Sequence, residues 1–134
     1  MLTLRIAQQL VARAEQEAAA LPCPMSIAIV DAGAHLLLLH RMDDALLASA
    51  QVCQKKARSA ALFKRPTKAF EDVLAGGRMA ILSLPEAMPI EGGVPLLAGG
   101  VLAGAIGVSG GTSQQDGVVA NAVAELFASL SAKG

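Results

Sequence analysis

The sequence predicts an α+β domain in the order helix, hairpin, helices, hairpin, helix, with the hairpins forming an antiparallel sheet against which the helices pack. Three observations lead there. Apolar residues recur at a 3.6-residue period near both ends of the chain. Two β-rich runs are each followed by a turn and a second run too near for a parallel crossover. Eight glycines fall within residues 91–112, more than strand packing alone explains, so this backbone makes turns or comes very close to something.

Taken in order, Ile6, Leu10, Ala14 and Ala18 share one face over residues 3–20, while Arg5, Gln9, Arg13 and Gln16 lie elsewhere, which predicts an amphipathic helix. Leu21, Pro22 and Pro24 end it. Residues 25–30 and 35–41 read as strands joined by a tight turn at Asp31–Ala34. A helix follows from Asp44 to about Phe63, with Asp43 or Asp44 as its cap. Its stripe of small residues, Ala50, Cys53, Ala57 and Ala61, lets another element approach closely. Pro66 breaks that helix, Thr67 is expected to cap a short one through Leu74, and Gly76 and Gly77 stop it before a helical piece at Met79–Leu84. Residues 94–97 and 101–108 form the second hairpin around Gly99 and Gly100. Ser113 and Asp116 make a capping signature for a last helix over about 114–131, with Val119, Ala122, Val123, Leu126 and Leu130 facing inward. No repeat or linker divides the chain, so a single domain over 1–134 is expected.

The 134 residues are 54% hydrophobic and only 16% charged, with mean hydropathy +0.52. A small monomer hides that much apolar surface with difficulty, so a homo-oligomer is expected. The one long apolar segment, Gly92 to Gly111, carries Pro95 and eight glycines and is no membrane span. The first residues break their apolar pattern with Arg5, Gln8 and Gln9, which argues against a secretion leader and for the cytoplasm. Zero net charge argues against a nucleic-acid partner. Cys23 and Cys53 lack metal-ligand spacing and are read as reduced thiols, and no metal site is expected. Six of the 11 Lys and Arg residues fall between Lys55 and Lys68, either as a solvated helix face or as a seat for an anion.

The glycine-rich stretch joins a strand to a helix N-terminus, an arrangement that offers backbone N–H groups to an anion or carbonyl. Gly92, Gly93, Ser109, Gly110, Gly111 and Thr112 are the expected ligand-binding residues, with Arg41, Lys56 or Arg65 countering an anionic group. The glycines match neither a dinucleotide fingerprint nor a phosphate loop. His35 and His40 are five apart in one strand and point to opposite faces, so they do not form a joint metal site; either can act alone. Asp31, Asp43 and Asp44 cluster near one end of the first hairpin, and a turn aspartate plus helix caps accounts for them. Asp43 and Asp116 are the candidate bases of an enzyme, with the loop amides as an oxyanion site.

Several of these segments occur together in one known family. The run from Ile29 to Leu36, Arg41–Ala45, Lys55–Phe63 with Arg65–Thr67, Gly92–Pro95, Gly104–Gly110 and Gln115 with Asp116 together resemble the GlcG and HbpS family, which includes the C-terminal domain of PduO-type adenosyltransferases. The resemblance spans nearly the whole chain. It implies a profilin-like domain with a five-stranded antiparallel sheet flanked by helices, assembly into homo-oligomers, and an accessory role in catabolic operons, with heme bound by some members. Some of those are thought to use a first-helix histidine as iron ligand. Here residues 1–21 hold none, which leaves His35, His40 or the Thr112 hydroxyl as heme ligand candidates. Asp44 stands where the family often has glycine, and Gly117 where a larger polar residue is common.

Three functions follow as expectations. The first is a cytoplasmic homo-oligomeric accessory protein that binds heme, the one cofactor expected, or a small anionic or carbonyl metabolite at the glycine-rich loop. The second is a small enzyme of proton-transfer, hydration or deamination type acting on a catabolic carboxylate. The third is a non-catalytic partner in a larger complex.

Overall fold

The Thr3 hydroxyl accepts a hydrogen bond from Ile6 N at 3.2 Å and so caps α1, Leu4–Ala20. From there the computed structural model, which describes residues 1–133, runs through β1 (Ser26–Asp31), β2 (Leu36–Arg41), α2 (Ser49–Phe63), α3 (Thr67–Ala75), a 3₁₀ turn at Met79–Ser83, β3 (Gly93–Ala98), β4 (Val101–Ser109) and α4 (Ser113–Ala132). The strands lie in the order β2-β1-β4-β3, with every neighbouring pair antiparallel. The α+β class and both hairpins match the expectation. The five-stranded, profilin-like sheet does not: the sheet has four strands. Between α3 and β3 the chain curls into the 3₁₀ turn and then meets Pro85 and Pro89, whose missing N–H groups suit no ladder.

The sheet separates two layers. Strand alternation sends Ile27 and Ile29 of β1, Ile106 and Val108 of β4 and Leu96 of β3 toward α1 and α4, where they meet Leu10, Val11, Val119, Val123 and Phe127. The opposite face presents Ala28, Val30 and Ala105 to Cys53, Ala57, Ala60 and Ala61 of α2. Small residues on both sides bring α2 very close to the strands. A Cβ on Gly107 would overlap the Cys53 carbonyl, and one on Gly93 would overlap that of Lys56. Much of the glycine content thus serves helix-on-sheet packing, while Gly99 and Gly100, both with positive φ (58° and 82°), form the two-residue turn of the second hairpin.

Three helix starts differ from the expectation. Asp43 and Asp44 do not cap α2; it begins at Ser49 after Ala48, because Asp44 takes a left-handed φ of 68° and the chain turns again before the helix. Pro66 takes the N-cap position of α3, and Thr67, fully buried, instead accepts from Gly93 N at 2.9 Å through Oγ1, tying α3 to β3. The last helix is capped by Thr112 rather than Ser113. Its hydroxyl accepts from Gln115 N at 3.1 Å while the Gln115 side chain accepts from Thr112 N at 3.0 Å.

Candidate functional site

Lys56 starts on the α2 face of the sheet and ends at the first turn of α4 on the other side. Its Nζ donates to Val108 O at 2.9 Å and to Asp116 Oδ2 at 3.0 Å, with both side chains almost wholly buried. Gly92 makes the passage possible, since a Cβ there would sit 2.8 Å from Nζ. The second Asp116 oxygen accepts from Gly111 N at 2.9 Å, and the neighbouring Gly110 amide also favours the charged carboxylate. Burial pushes the Asp116 carboxyl up, and the Lys56 ammonium and the two glycine amides oppose that shift.

The loop amides are therefore already engaged. Gly111 serves Asp116, and Thr112 serves Gln115. The protein's own carboxylate occupies the position that the open loop was expected to offer a ligand. Lys56 is likewise neutralised in place rather than directed at a cavity. Ser109 closes β4 opposite Ser26 of β1, which in turn pairs with Arg41 of β2. Arg41 is exposed at the same end of the sheet, about 10 Å and two strands away from Ser109. Asp43 lies exposed in the turn after β2, and Arg65 stacks over the Phe70 ring at 5.6 Å.

Gly92 and Gly93 border a cavity of about 310 Å³ beyond this staple. Gly117, Asn121, Glu91, Lys68 and Asp72 complete its polar lining. A Cβ on Gly117 would overlap the Glu91 carboxylate, so the small residue lets that group lie against α4. Lys68 pairs with Asp72 at 3.1 Å, which raises its pKa. With two carboxylates to one ammonium, the cavity suits an uncharged polar or carbonyl group better than an anion. Sequence reasoning reached Gly92 and Gly93 but not Glu91, Lys68, Gly117 or Asn121. Gly117, a glycine inside a helical pattern, was the available signal.

The two histidines diverge. His40 turns toward α1, with Nδ1 3.1 Å from Glu15 Oε1. His35 stands in the β1–β2 turn with its ring 82% exposed and Nδ1 3.4 Å from Asp31 Oδ1. The Asp31 carboxylate also accepts the Gly33 and His35 backbone N–H groups, each at 2.9 Å, and the His35 bond above all lowers its pKa. Val30, Ala34, His35, Leu36, Gln54 and Arg58 surround a groove of about 240 Å³ beside this ring. Cys23 and Cys53 are free, and burial pushes the Cys53 thiol up to about 12. Among the described residues there is no group of three His, Cys, Asp or Glu side chains able to hold a metal ion, and no helix long and apolar enough to cross a membrane.

Comparison with known proteins agrees with the segments singled out above. The chain is 42% identical over 109 residues to protein GlcG of Escherichia coli K12, covering 81% of each. Its structure is similar to the crystal structure of HbpS, with TM-score 0.85 and 28% identity over 93% of this chain and 89% of that one. It is similar as well to the crystal structure of a PduOC–heme complex, with TM-score 0.83 and 31% identity over 92% and 93% of the two chains. The model of the haem-degrading-protein HbpS-like family matches residues 2–125. The chain belongs to this GlcG/HbpS family and is related to the heme-binding domain of PduO.

Proposed function

We propose that this chain is a heme-binding accessory protein that works in the cytoplasm as a homo-oligomer. The observation that carries the reading is the likeness to the PduOC–heme complex over 93% of that chain at 31% identity. Exposed apolar side chains support self-association: Leu46 and Leu47 near β2, Met79 and Leu82 on the 3₁₀ turn, and Val101 at the hairpin tip. Two free cysteines in separate elements fit a reducing compartment. Ligand-induced stabilisation tests the reading. Hemin at a hundredfold excess over its dissociation constant adds about 2.7 kcal/mol to folding stability and raises the melting temperature accordingly. A melting temperature unmoved by hemin overturns it.

A second reading rests on the cavity beside Gly92 and Gly93. Its volume of about 310 Å³ and its charge balance favour a small carbonyl or hydroxyl compound over heme, whose propionates would face Glu91 and Asp72. Protection of the cavity by such a compound, seen as chemical-shift changes at the Gly92 and Gly117 amides, is the expected result. Unmoved amides across a set of short carbonyl compounds would remove it.

A further inference from the structure

We propose that the outer edge of β2 is a self-association surface: two copies of the chain pair their β2 strands antiparallel about a twofold axis, Leu39 facing Leu39, so that their four-stranded sheets join into one. This rests on the homo-oligomer part of the reading above and gives it a surface. β2 and β3 are the two edges of the sheet, and only β3 is guarded. Val108 N donates to Gly92 O at 2.9 Å, so strand alternation turns the backbone groups of Gly93 and Pro95 outward. Gly93 N is already taken by Thr67 Oγ1 at 2.9 Å, Pro95 has no N–H to offer, and a register shift between Leu96 and Leu97 disrupts what is left of the edge.

β2 has none of these devices. Met42 N donates to Met25 O at 3.0 Å, so the same alternation turns the backbone groups of Leu39 and Arg41 away from β1. No other element bonds their N–H groups among the described residues. The strand contains no proline and no lysine, and four of its six residues are leucine. Its own register shift lies opposite Ile29 and Val30, which leaves the half from Leu38 to Arg41 regular.

Charge selects both the occupant and its direction. Arg41, exposed and without an ion pair among the described residues, ends β2, while the turn before β2 carries Asp31, whose side chain is 42% exposed. Antiparallel pairing sends each Arg41 toward the Asp31 turn of the other copy, whereas parallel pairing would set Arg41 beside Arg41. The edge is therefore complementary to itself, as an isologous contact requires. Backbone pairing alone falls short of the about 800 Å² per partner that a stable interface buries. Leu36 on the strand and Leu46 and Leu47 after it, all exposed, supply apolar area beside it. The 2.8 Å bond between Ser49 Oγ and Ser26 Oγ holds the segment with Leu46 and Leu47 at the Arg41 end of the hairpin.

Sedimentation of the full chain and cysteine crosslinking test the surface. In a Cys23→Ala background, with Cys53 buried, Leu39→Cys should give a disulfide-linked dimer under mild oxidation. Facing residues of a hydrogen-bonded antiparallel pair lie about 5.5 Å apart at Cα, within disulfide reach. Leu97→Cys, exposed on the guarded edge, should stay monomeric on a non-reducing gel. Leu39→Pro removes only an outward N–H, as Pro95 does on β3, and should lower the sedimenting mass at least about twofold while its circular dichroism matches wild type. Should that variant unfold, the crosslink alone decides. An associated wild type whose Leu39→Cys variant does not crosslink, or crosslinks no better than Leu97→Cys, would overturn this surface and leave the homo-oligomer standing. So would a folded Leu39→Pro variant of unchanged mass. A wild type that sediments at 13.6 kDa would overturn the surface and the homo-oligomer together, and would leave the edge to an extended segment of another protein.

Discussion

Lys56 Nζ and Asp116 Oδ2, 60 residues apart in the chain, meet at 3.0 Å in a buried ion pair that ties α2 on one face of the sheet to α4 on the other. Neither side chain has water to fall back on. Removing one partner strands the other, which costs about 3–5 kcal/mol, whereas replacing both with apolar residues of similar volume costs far less. Lys56→Met and Asp116→Leu should therefore each be strongly destabilising and their combination much milder than the sum. Urea denaturation of the four proteins measures this cycle; additive single effects would show that the pair is not coupled.

The glycines beneath α2 make a second prediction. Gly107→Ala forces a methyl onto the Cys53 carbonyl, a backbone atom that moves only with the helix. It should cost about 3 kcal/mol or more, or prevent folding. Gly76→Ala is the control, because its Cβ would meet only ordinary contacts at 3.5 Å and the backbone φ there is −76°. Its stability should stay within about 0.5 kcal/mol of wild type by denaturant titration.

Cys53 supplies a pH prediction. Its thiol is raised by burial from 9.0 to about 12, so its contribution to stability is fully present below pH 9 and is lost as pH rises toward 12. Native protein at pH 8 should take up iodoacetamide at Cys23 and not at Cys53, as read by peptide mass spectrometry. Cys53→Ala should flatten the loss of stability between pH 9 and 12. Equal labelling of the two thiols in the native state would contradict the burial of Cys53.

The Thr112 cap yields a fourth. Thr112→Ala removes the hydroxyl that accepts from Gln115 N and half of the capping box at the start of α4, so about 1 kcal/mol of stability should go, measured by thermal denaturation. Ser113→Ala, one residue along, should be nearly silent.

These residues also mark how far the sequence could be read. The periodic ends of the chain, the Gly99-Gly100 turn and the Gly76-Gly77 stop carry local signals, and α1, both hairpins and the α3 terminus stand where those signals put them. The start of α2 does not, because Asp44 adopts a left-handed turn that its side-chain chemistry permits as readily as a cap. The fifth strand had no local signal at all and came only from likeness to the family. Lys56 was legible as a cation of interest, but its partner was not. Only the folded sheet brings residue 116 to it, and the amides expected to be free are those the partnership consumes. A lysine flanked by Cys53, Ala57 and Ala60 on an otherwise small, apolar face was the one hint of burial. The groove beside His35 was equally hidden, since only hairpin topology places the β1–β2 turn beside Gln54 and Arg58.

The measurement that bears most directly on the function is a titration of ferric heme into the purified chain, followed by visible absorption. Binding predicts a shifted Soret band that grows linearly and then saturates at a single heme per chain. A band that rises without saturation, at the position of free heme, would contradict a heme-binding role and turn attention to small carbonyl compounds at the cavity beside Gly92 and Gly93.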